Sequence, residues 1–191
     1  MGHRGDLYGV SHGSAIRLRS PRWADYNAWV ELRQSNRDYL KAWEPTWDER
    51  HLTRASYRAR LARFKQMVSN DTGYPYHIFR ADDDELIGAV NITHVIRQVA
   101  QSGQIGYWIG ETYAGRGLAR AAVKTACRFA FDEMGLHRLE AGVRPENKRS
   151  IRLLEALGFQ PEGIARGYLR IDGDWRDHHI YALLNSDLLS A

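Results

Sequence analysis

Apolar residues recur along this chain at spacings of two in some stretches and of three to four in others, and the changes of spacing mark out its elements. Ile16-Arg17-Leu18-Arg19 alternates as a first strand that Pro21 ends, and Asp25 is placed to cap a helix whose apolar side carries Trp29, Val30 and Leu32. Asn36 to Glu49 is polar and aromatic, and Pro45 argues there for a structured loop over a long helix. Thr53 caps a second predicted helix, in which Tyr57, Leu61, Phe64 and Val68 share a face while Arg54, Arg58 and Lys65 lie off it. Tyr76 to Phe79 and Leu86 to Val95 predict a hairpin turned at Asp82-Asp83-Asp84, with Asn91 and His94 as polar positions in or beside its second strand. Gln104 to Ile109 is a short β-branched and aromatic strand; Gly110, Gly115 and Gly117 break it before Leu118, Ala122, Ala126 and Phe129 set up a helical stripe. Arg138 to Val143 alternates again, and Asn147 is a good N-cap for a helix carrying Ile151, Leu154 and Leu157 that Gly158 terminates. Phe159 to Ala165 and His178 to Leu184 read as the last strands, with Asp172-Gly173 as a turn between them. The order βααβββαβαββ implies a mixed sheet with helices on both faces, an α/β or α+β layer fold.

Composition narrows the class. The 191 residues suit one domain over 15–188, with Met1 to Ser14, polar, Gly-rich and His-bearing, as a loose N-terminal tail. Hydrophobic content of 43% and charged content of 26% are those of a soluble globular protein. No apolar run approaches the roughly 20 residues of a membrane span, and the N-terminus lacks the apolar centre of a signal peptide, so a cytoplasmic location and no membrane partner are expected. The lone Cys127 sits within a helical pattern and reads as a packing residue. A net charge of +4 is compatible with an anionic cofactor or a ribosomal surface but too mild to indicate nucleic-acid binding by itself, and no direct DNA binding is expected.

The stretch that carries chemistry is Gln104 to Phe131, strand then glycine turn then helix. The first N–H groups of a helix lack internal partners and lie at its positive end, so an anion can rest there when glycines let the main chain approach; Arg116 and Arg120 add cationic side chains. Gly115-Arg116-Gly117-Leu118-Ala119-Arg120 satisfies neither the dinucleotide fingerprint nor the P-loop spacing. It resembles motif A of the GCN5-related N-acetyltransferases, [QR]-x-x-G-x-[GA], at Gly117 and Ala119; the first position is Ala114, which removes a side chain but not the amides. A Gly-rich turn that merely packs a helix on a sheet is the alternative at this point.

A second block decides between them. Val143 to Gly163, VRPENKRSIRLLEALGFQPEG, resembles motif B of the same superfamily in its Rim-type form, that of the ribosomal-protein N-terminal acetyltransferases. Further similarity runs through Asn36-Arg37, Leu40-Lys41, Trp43-Glu44-Pro45 and Asp48-Glu49, and through Tyr168-Leu169, Ile171-Asp172-Gly173 and Trp175-Arg176-Asp177-His178. Together the matching stretches span Ile16 to Leu184, nearest to the branch that acetylates the N-terminal alanine of ribosomal protein S5. The resemblance implies a mostly antiparallel seven-stranded sheet, splayed between the strands at Gln104–Ile109 and Arg138–Val143, with acetyl-CoA as co-substrate and no metal. Its pyrophosphate would lie on the main chain of Gly115 to Ala119, with Ile109, Arg116, Gly117, Leu118 and Arg120 among the cofactor-binding positions and Asn147 on the pantetheine arm or a nearby water. The implied partner is the N-terminus of S5 or a similar peptide, with ribosome association as a further possibility.

The implied reaction is direct attack of a neutral amine on the thioester, with no covalent enzyme intermediate. Many relatives place a Tyr seven residues after the motif-B Asn as the acid, but here that position is Leu154, which leaves Ser150 as the candidate acid and Asn147 beside it. Gln104 to Ile109 has no carboxylate, so Glu44 is the candidate base or amine-binding residue, against a plain salt-bridged role in its loop. Trp43, Tyr107 and Asn91 are candidate walls of the acceptor entrance. Two other functions stay open: a small-amine or antibiotic acetyltransferase of the same fold, and a ribosome-assembly or RNA-binding module without catalysis. The basic side of the second helix reads as solvated, with an rRNA contact as its alternative.

Overall fold

In the computed structural model, residues 5–11 and 13–188 are described. One mixed sheet of eight strands runs through the chain in the order β1-β2-β3-β4-β5-β6-β8-β7. The strands are β1 (Leu7–Ser11), β2 (Ser14–Arg19), β3 (Tyr74–Arg80), β4 (Leu86–Ile96), β5 (Ser102–Ile109), β6 (Arg138–Val143), β7 (Gln160–Ile171) and β8 (Asp174–Leu184). The helices are α1 (Tyr26–Ser35), α2 (Arg37–Lys41), α3 (Arg54–Ser69), α4 (Leu118–Arg128), α5 (Lys148–Glu155) and α6 (Asn185–Leu188). Every neighbouring pair is antiparallel except β5 and β6. That pair is joined only at Ser102–Arg138, Gly103–Leu139 and Gln104–Glu140, so beyond Gln104 the two strands diverge and leave both facing edges without a ladder.

The sheet is covered on both sides. One core joins Ile16, Ile78, Val90, Ile105 and Leu139 of the sheet to Ala122 and Ala126 of α4 and Leu154 of α5. A smaller one packs Trp29 and Leu32 of α1 and Tyr57 of α3 against Phe79 and Leu86. The stripe expected after Gly117 is the buried face of α4, which continues into a π-helical turn at Phe129–Glu133 that buries both phenylalanines. Thr53 and Asn147 cap as expected, accepting from the N–H of Ser56 at 3.2 Å and of Ser150 at 3.1 Å.

Four expectations are corrected. The sheet has eight strands where seven were implied, because Leu7–Ser11, assigned to a loose tail, pairs with Ser14–Arg19 as a hairpin. Leu7 and Gly9 face α4, and a Cβ on Gly9 would fall onto the Thr125 hydroxyl, so this close approach needs glycine, the residue that made the segment look unstructured. The part of the tail at residues 1–4 and 12 lies outside the described residues. Asn36 to Glu49 is not all loop: buried Leu40 anchors the short helix α2, too brief to show a period. Asp25 does not cap α1 with its side chain; its carboxylate is buried against Arg19 (2.6 Å), His77 (3.2 Å) and the N–H of Arg22 (2.7 Å).

Candidate active site

The divergence of β5 from β6 makes a V-shaped gap lined by Ile105 to Ile109 on one arm and Ala141 to Val143 on the other. Side chains alternate on β5, so Ile105 and Ile109 face α4, as does Tyr107, while Gln104, Gly106 and Trp108 face the side of α1 and α3. The gap therefore opens onto two different environments.

On the α4 side, Tyr107 reaches from β5 to the first turn of α5, where its hydroxyl is 2.7 Å from Ser150 Oγ. Burial pushes the Tyr107 phenol well above its usual range, and the bond to Ser150 only partly offsets this, so the phenol stays protonated at neutral pH. Ser150 is held at both ends, its N–H on Asn147 Oδ1 and its hydroxyl on Tyr107. Leu154, where a tyrosine was the alternative acid, is fully buried in the core. At the far end of β5 the chain turns through Gly110 to Gly117. Gly115 and Gly117 adopt φ of +77° and +78°, and a Cβ on Gly115 would meet nothing within 4 Å, so the turn presents open main chain. Gly117 stands at the N-cap of α4 with no side chain capping the helix, which leaves the amides of Leu118 to Arg120 directed outward. Buried Asn36 accepts from the Glu111 N–H at 2.7 Å, and Ser14 donates to the Arg116 carbonyl at 2.5 Å, so the loop is fixed from two sides. Arg116 is exposed, whereas Arg120 donates to the Ala156 carbonyl at 3.0 Å and braces α5 against α4.

On the opposite side, Gly106 has no neighbour within 4 Å of where a Cβ would be, and half-buried Asn91 lies across from it in register on β4. Tyr168 of β7 lies over Gly142, 3.1 Å from the position of a Cβ there, and its hydroxyl accepts from Gln104 Nε2 at 3.2 Å, so one ring bridges the two arms of the gap. His178 packs edge-on to Tyr168 at 5.5 Å, and burial holds its pKa below the usual imidazole value. Trp43 lies near the mouth with the Arg144 guanidinium 5.6 Å from its ring. The tip of the β7–β8 hairpin closes on this segment through Asp172 N–H to the Glu44 carbonyl at 3.1 Å.

Glu44 is placed differently from the expectation. Arg33 grips both carboxylate oxygens, Nη1 to Oε1 at 2.7 Å and Nη2 to Oε2, and Trp47 Nε1 adds a 2.9 Å bond to Oε2. The Arg33 guanidinium itself lies 4.1 Å from the Trp47 ring and 4.7 Å from that of Trp108. A carboxylate so engaged braces the loop, so Glu44 takes the salt-bridged alternative. Sequence reasoning missed the Tyr107–Ser150 bond, the Tyr168–Gln104 bridge and the Asn36 clamp. Only the last left a signal, a polar residue ending an apolar helical face.

Residues 15–160 match the acetyltransferase (GNAT) domain family. The chain is a GNAT acetyltransferase. It is 39% identical over 165 residues to the [ribosomal protein uS5]-alanine N-acetyltransferase of Escherichia coli, covering 85% of each chain, and 37% identical over 175 residues to the probable N-acetyltransferase YjcK of Bacillus subtilis, covering 92% and 97%. Among solved structures, Mycobacterium smegmatis RimJ in complex with CoA-disulfide superposes on this acetyltransferase with a TM-score of 0.88 at 32% identity over 96% of this chain and 88% of that one. The S5-alanine acetyltransferase of Vibrio fischeri follows at 0.85 and 27%, over 94% and 98%. The open glycine loop and the unpaired strand edges of this GNAT acetyltransferase fit a CoA thioester: bare amides for a diphosphate, free main chain for an amide-bearing arm. Among the described residues, no group of three His, Cys, Asp or Glu side chains is arranged to hold a metal, and no helix is long and apolar enough to cross a membrane.

Proposed function

We propose that this acetyltransferase modifies the N-terminal α-amino group of a protein, with the alanine of ribosomal protein S5 as its first acceptor, and that it works in the cytoplasm where that protein is assembled. The observation that carries the reading is the Tyr107–Ser150 pair at the gap between β5 and β6, in a chain 39% identical to an S5-alanine acetyltransferase. The main chain of Gly115 to Ala119 would hold the diphosphate of acetyl-CoA, with the open edge at Ile105 to Ile109 and the Asn147 amide along its arm. The thioester supplies an activated acetyl group. The amine nitrogen bonds to its carbonyl carbon, the carbon–sulfur bond breaks, the nitrogen passes a proton to solvent water, and the sulfur takes the Ser150 proton, which solvent restores. Tyr107, kept protonated, donates to Ser150 Oγ and so turns the Ser150 proton outward to the leaving sulfur. The acceptor terminus enters on the Gly106 side, between Asn91, Trp43 and the Tyr168–Gln104 bridge. A small polyamine fits this side poorly, since Glu44 is held by Arg33 and Glu140 by Arg138.

Intact-mass analysis of purified S5 incubated with the protein and acetyl-CoA tests the reading. One acetyl group on the terminal residue is expected; acetylation of lysine side chains alone refutes it.

A further inference from the structure

His178 of β8 is a buried titratable side chain beside the gap that the reaction above leaves unused, with 4% of its surface exposed. Its Nδ1 lies 3.1 Å from the Arg176 carbonyl. A carbonyl oxygen only accepts, so Nδ1 carries the hydrogen, and in the neutral ring the lone pair is then on Nε2. Among the described residues no hydrogen bond engages Nε2, and it is not one of the enclosed polar atoms that lack a partner, so this nitrogen opens to solvent.

The strands place that opening at the reacting level of the gap. β5 and β6 pair as far as Gln104–Glu140, and two residues further in the same register Gly106 comes opposite Gly142. Both glycines belong to the face away from α4, since Ile105, Ala141 and Val143 take the other. Tyr107, next in the chain to Gly106, meets Ser150 on the α4 face. A Cβ on Gly106 would meet nothing within 4 Å, while one on Gly142 would lie 3.1 Å from the Tyr168 ring and 3.9 Å from His178 Cβ. The Tyr168 hydroxyl is anchored to Gln104, and its ring stands edge-on to His178 at 5.5 Å and 64°. The open recess over Gly106 therefore has Tyr168 and His178 as its wall on the β6 arm, with the Tyr107–Ser150 pair on the other face of the sheet.

We propose that His178 Nε2 accepts a hydrogen bond from the acceptor amine lying over Gly106 and so turns the nitrogen lone pair toward the thioester carbon. The inference rests on the amine entering from the Gly106 side, as proposed above, and not on which amine it is. Burial is the largest influence on the His178 pKa and lowers it, and the Arg144 charge adds to this. Such a ring is a weaker base than an α-amine, so it holds the neutral nitrogen without stripping an ammonium, and the proton freed when the carbon–nitrogen bond forms still leaves to water. A purely packing role would leave Nε2 idle and make Nδ1 the atom that counts.

Two amides separate the two nitrogens. His178→Asn puts a donor where Nδ1 is and leaves nothing at Nε2; His178→Gln brings its carbonyl oxygen to the Nε2 position and gives up the bond to Arg176. Thiol release with acetyl-CoA and an Ala-starting peptide should show kcat/KM for the peptide down about tenfold in His178→Asn and within about threefold of the parent in His178→Gln, with the KM for acetyl-CoA unchanged in both. Thermal melts should rank the variants the other way, with His178→Asn nearer the parent. Activity that follows the melting order, variants that are equally impaired, or a His178→Asn enzyme as fast as the parent overturns the inference. If the parent acetylates lysine side chains or a small amine and no N-terminus, the acceptor reading falls, and the same ranking measured with that amine still decides the role of His178.

Discussion

Replacing Tyr107 by Phe deletes one oxygen atom and leaves the ring that packs against the core. That oxygen's bond to Ser150 Oγ is 2.7 Å long and partly buried, and a neutral bond of this kind contributes about 0.5–1.5 kcal/mol net. If its role is to turn the Ser150 proton toward the sulfur, the loss belongs to the transition state, and about 1–1.5 kcal/mol corresponds to a five- to twelvefold fall in kcat. The KM for acetyl-CoA should hold, because the loop amides at Gly115 to Ala119 are untouched. Ser150→Ala removes the proposed acid and should cost about a hundredfold. Free-thiol release measures all three variants, the double mutant included. If Tyr107 acts only through Ser150, as proposed, the double mutant should be no slower than Ser150→Ala alone. Additive losses, or a Tyr107→Phe enzyme with the parent kcat, would refute the reasoning.

Other outcomes follow from the same contacts. Gly9→Ala forces a methyl onto Thr125 and the Ala121 carbonyl; overpacking of about 2 kcal/mol should lower Tm by about 6 °C in a thermal melt, and an unchanged Tm would show that β1 does not lie on α4. Tyr168→Phe cuts the 3.2 Å bridge to Gln104 and should raise the KM for an acceptor peptide about threefold while leaving that for acetyl-CoA alone. Burial, then the charges of Arg33 and Arg60, hold the His51 pKa at about 4, so the unfolded chain takes up a proton below about pH 6.5 that the native state refuses. Stability should therefore fall as pH drops from about 6.5 toward 4, and His51→Gln should flatten part of that loss in urea midpoints taken at pH 7.5 and 5.

The elements legible in the sequence were those whose period and caps agree. Arg138–Val143, the helix after Asn147 and the α4 stripe each carry a local signal that tertiary packing reinforces. What escaped was decided by partners distant in sequence. Leu7–Ser11 is a strand because α4 offers it a seat at Thr125, more than a hundred residues on, and its glycine is the cost of that closeness. Within the site, the glycine loop was readable because a bare amide needs no partner, whereas the choice between a base and a salt-bridged Glu44 was decided by Arg33 of α1. The Tyr107–Ser150 bond spans 43 residues, and no spacing announces it.

The engagement of Glu44 bears on the choice of acceptor. On the Gly106 side of the gap the polar groups are Asn91, Gln104, Tyr168, a His178 whose pKa burial lowers, and Glu140, which Arg138 engages at 2.9 Å, so among the described residues the carboxylates at this side, Glu140 and Glu44, are both held by arginines. An α-amino group, with a pKa near 7.7–8.0, is already about a quarter neutral at physiological pH, whereas a lysine near 10.4 is neutral only about one part in a thousand. Such a site can select N-termini by not deprotonating anything else, which is a kinetic preference built from the absence of a base. It follows that kcat/KM for an Ala-starting peptide should rise with pH and level off near pH 8, tracking the substrate's own amine, and that the plateau should shift upward by the same amount when a peptide of higher terminal pKa is used. Stopped-time mass spectrometry from pH 6 to 9 reads both curves. A plateau that stays fixed while the peptide pKa changes would place the titrating group on the enzyme, and a proton acceptor would then have to be sought among its side chains.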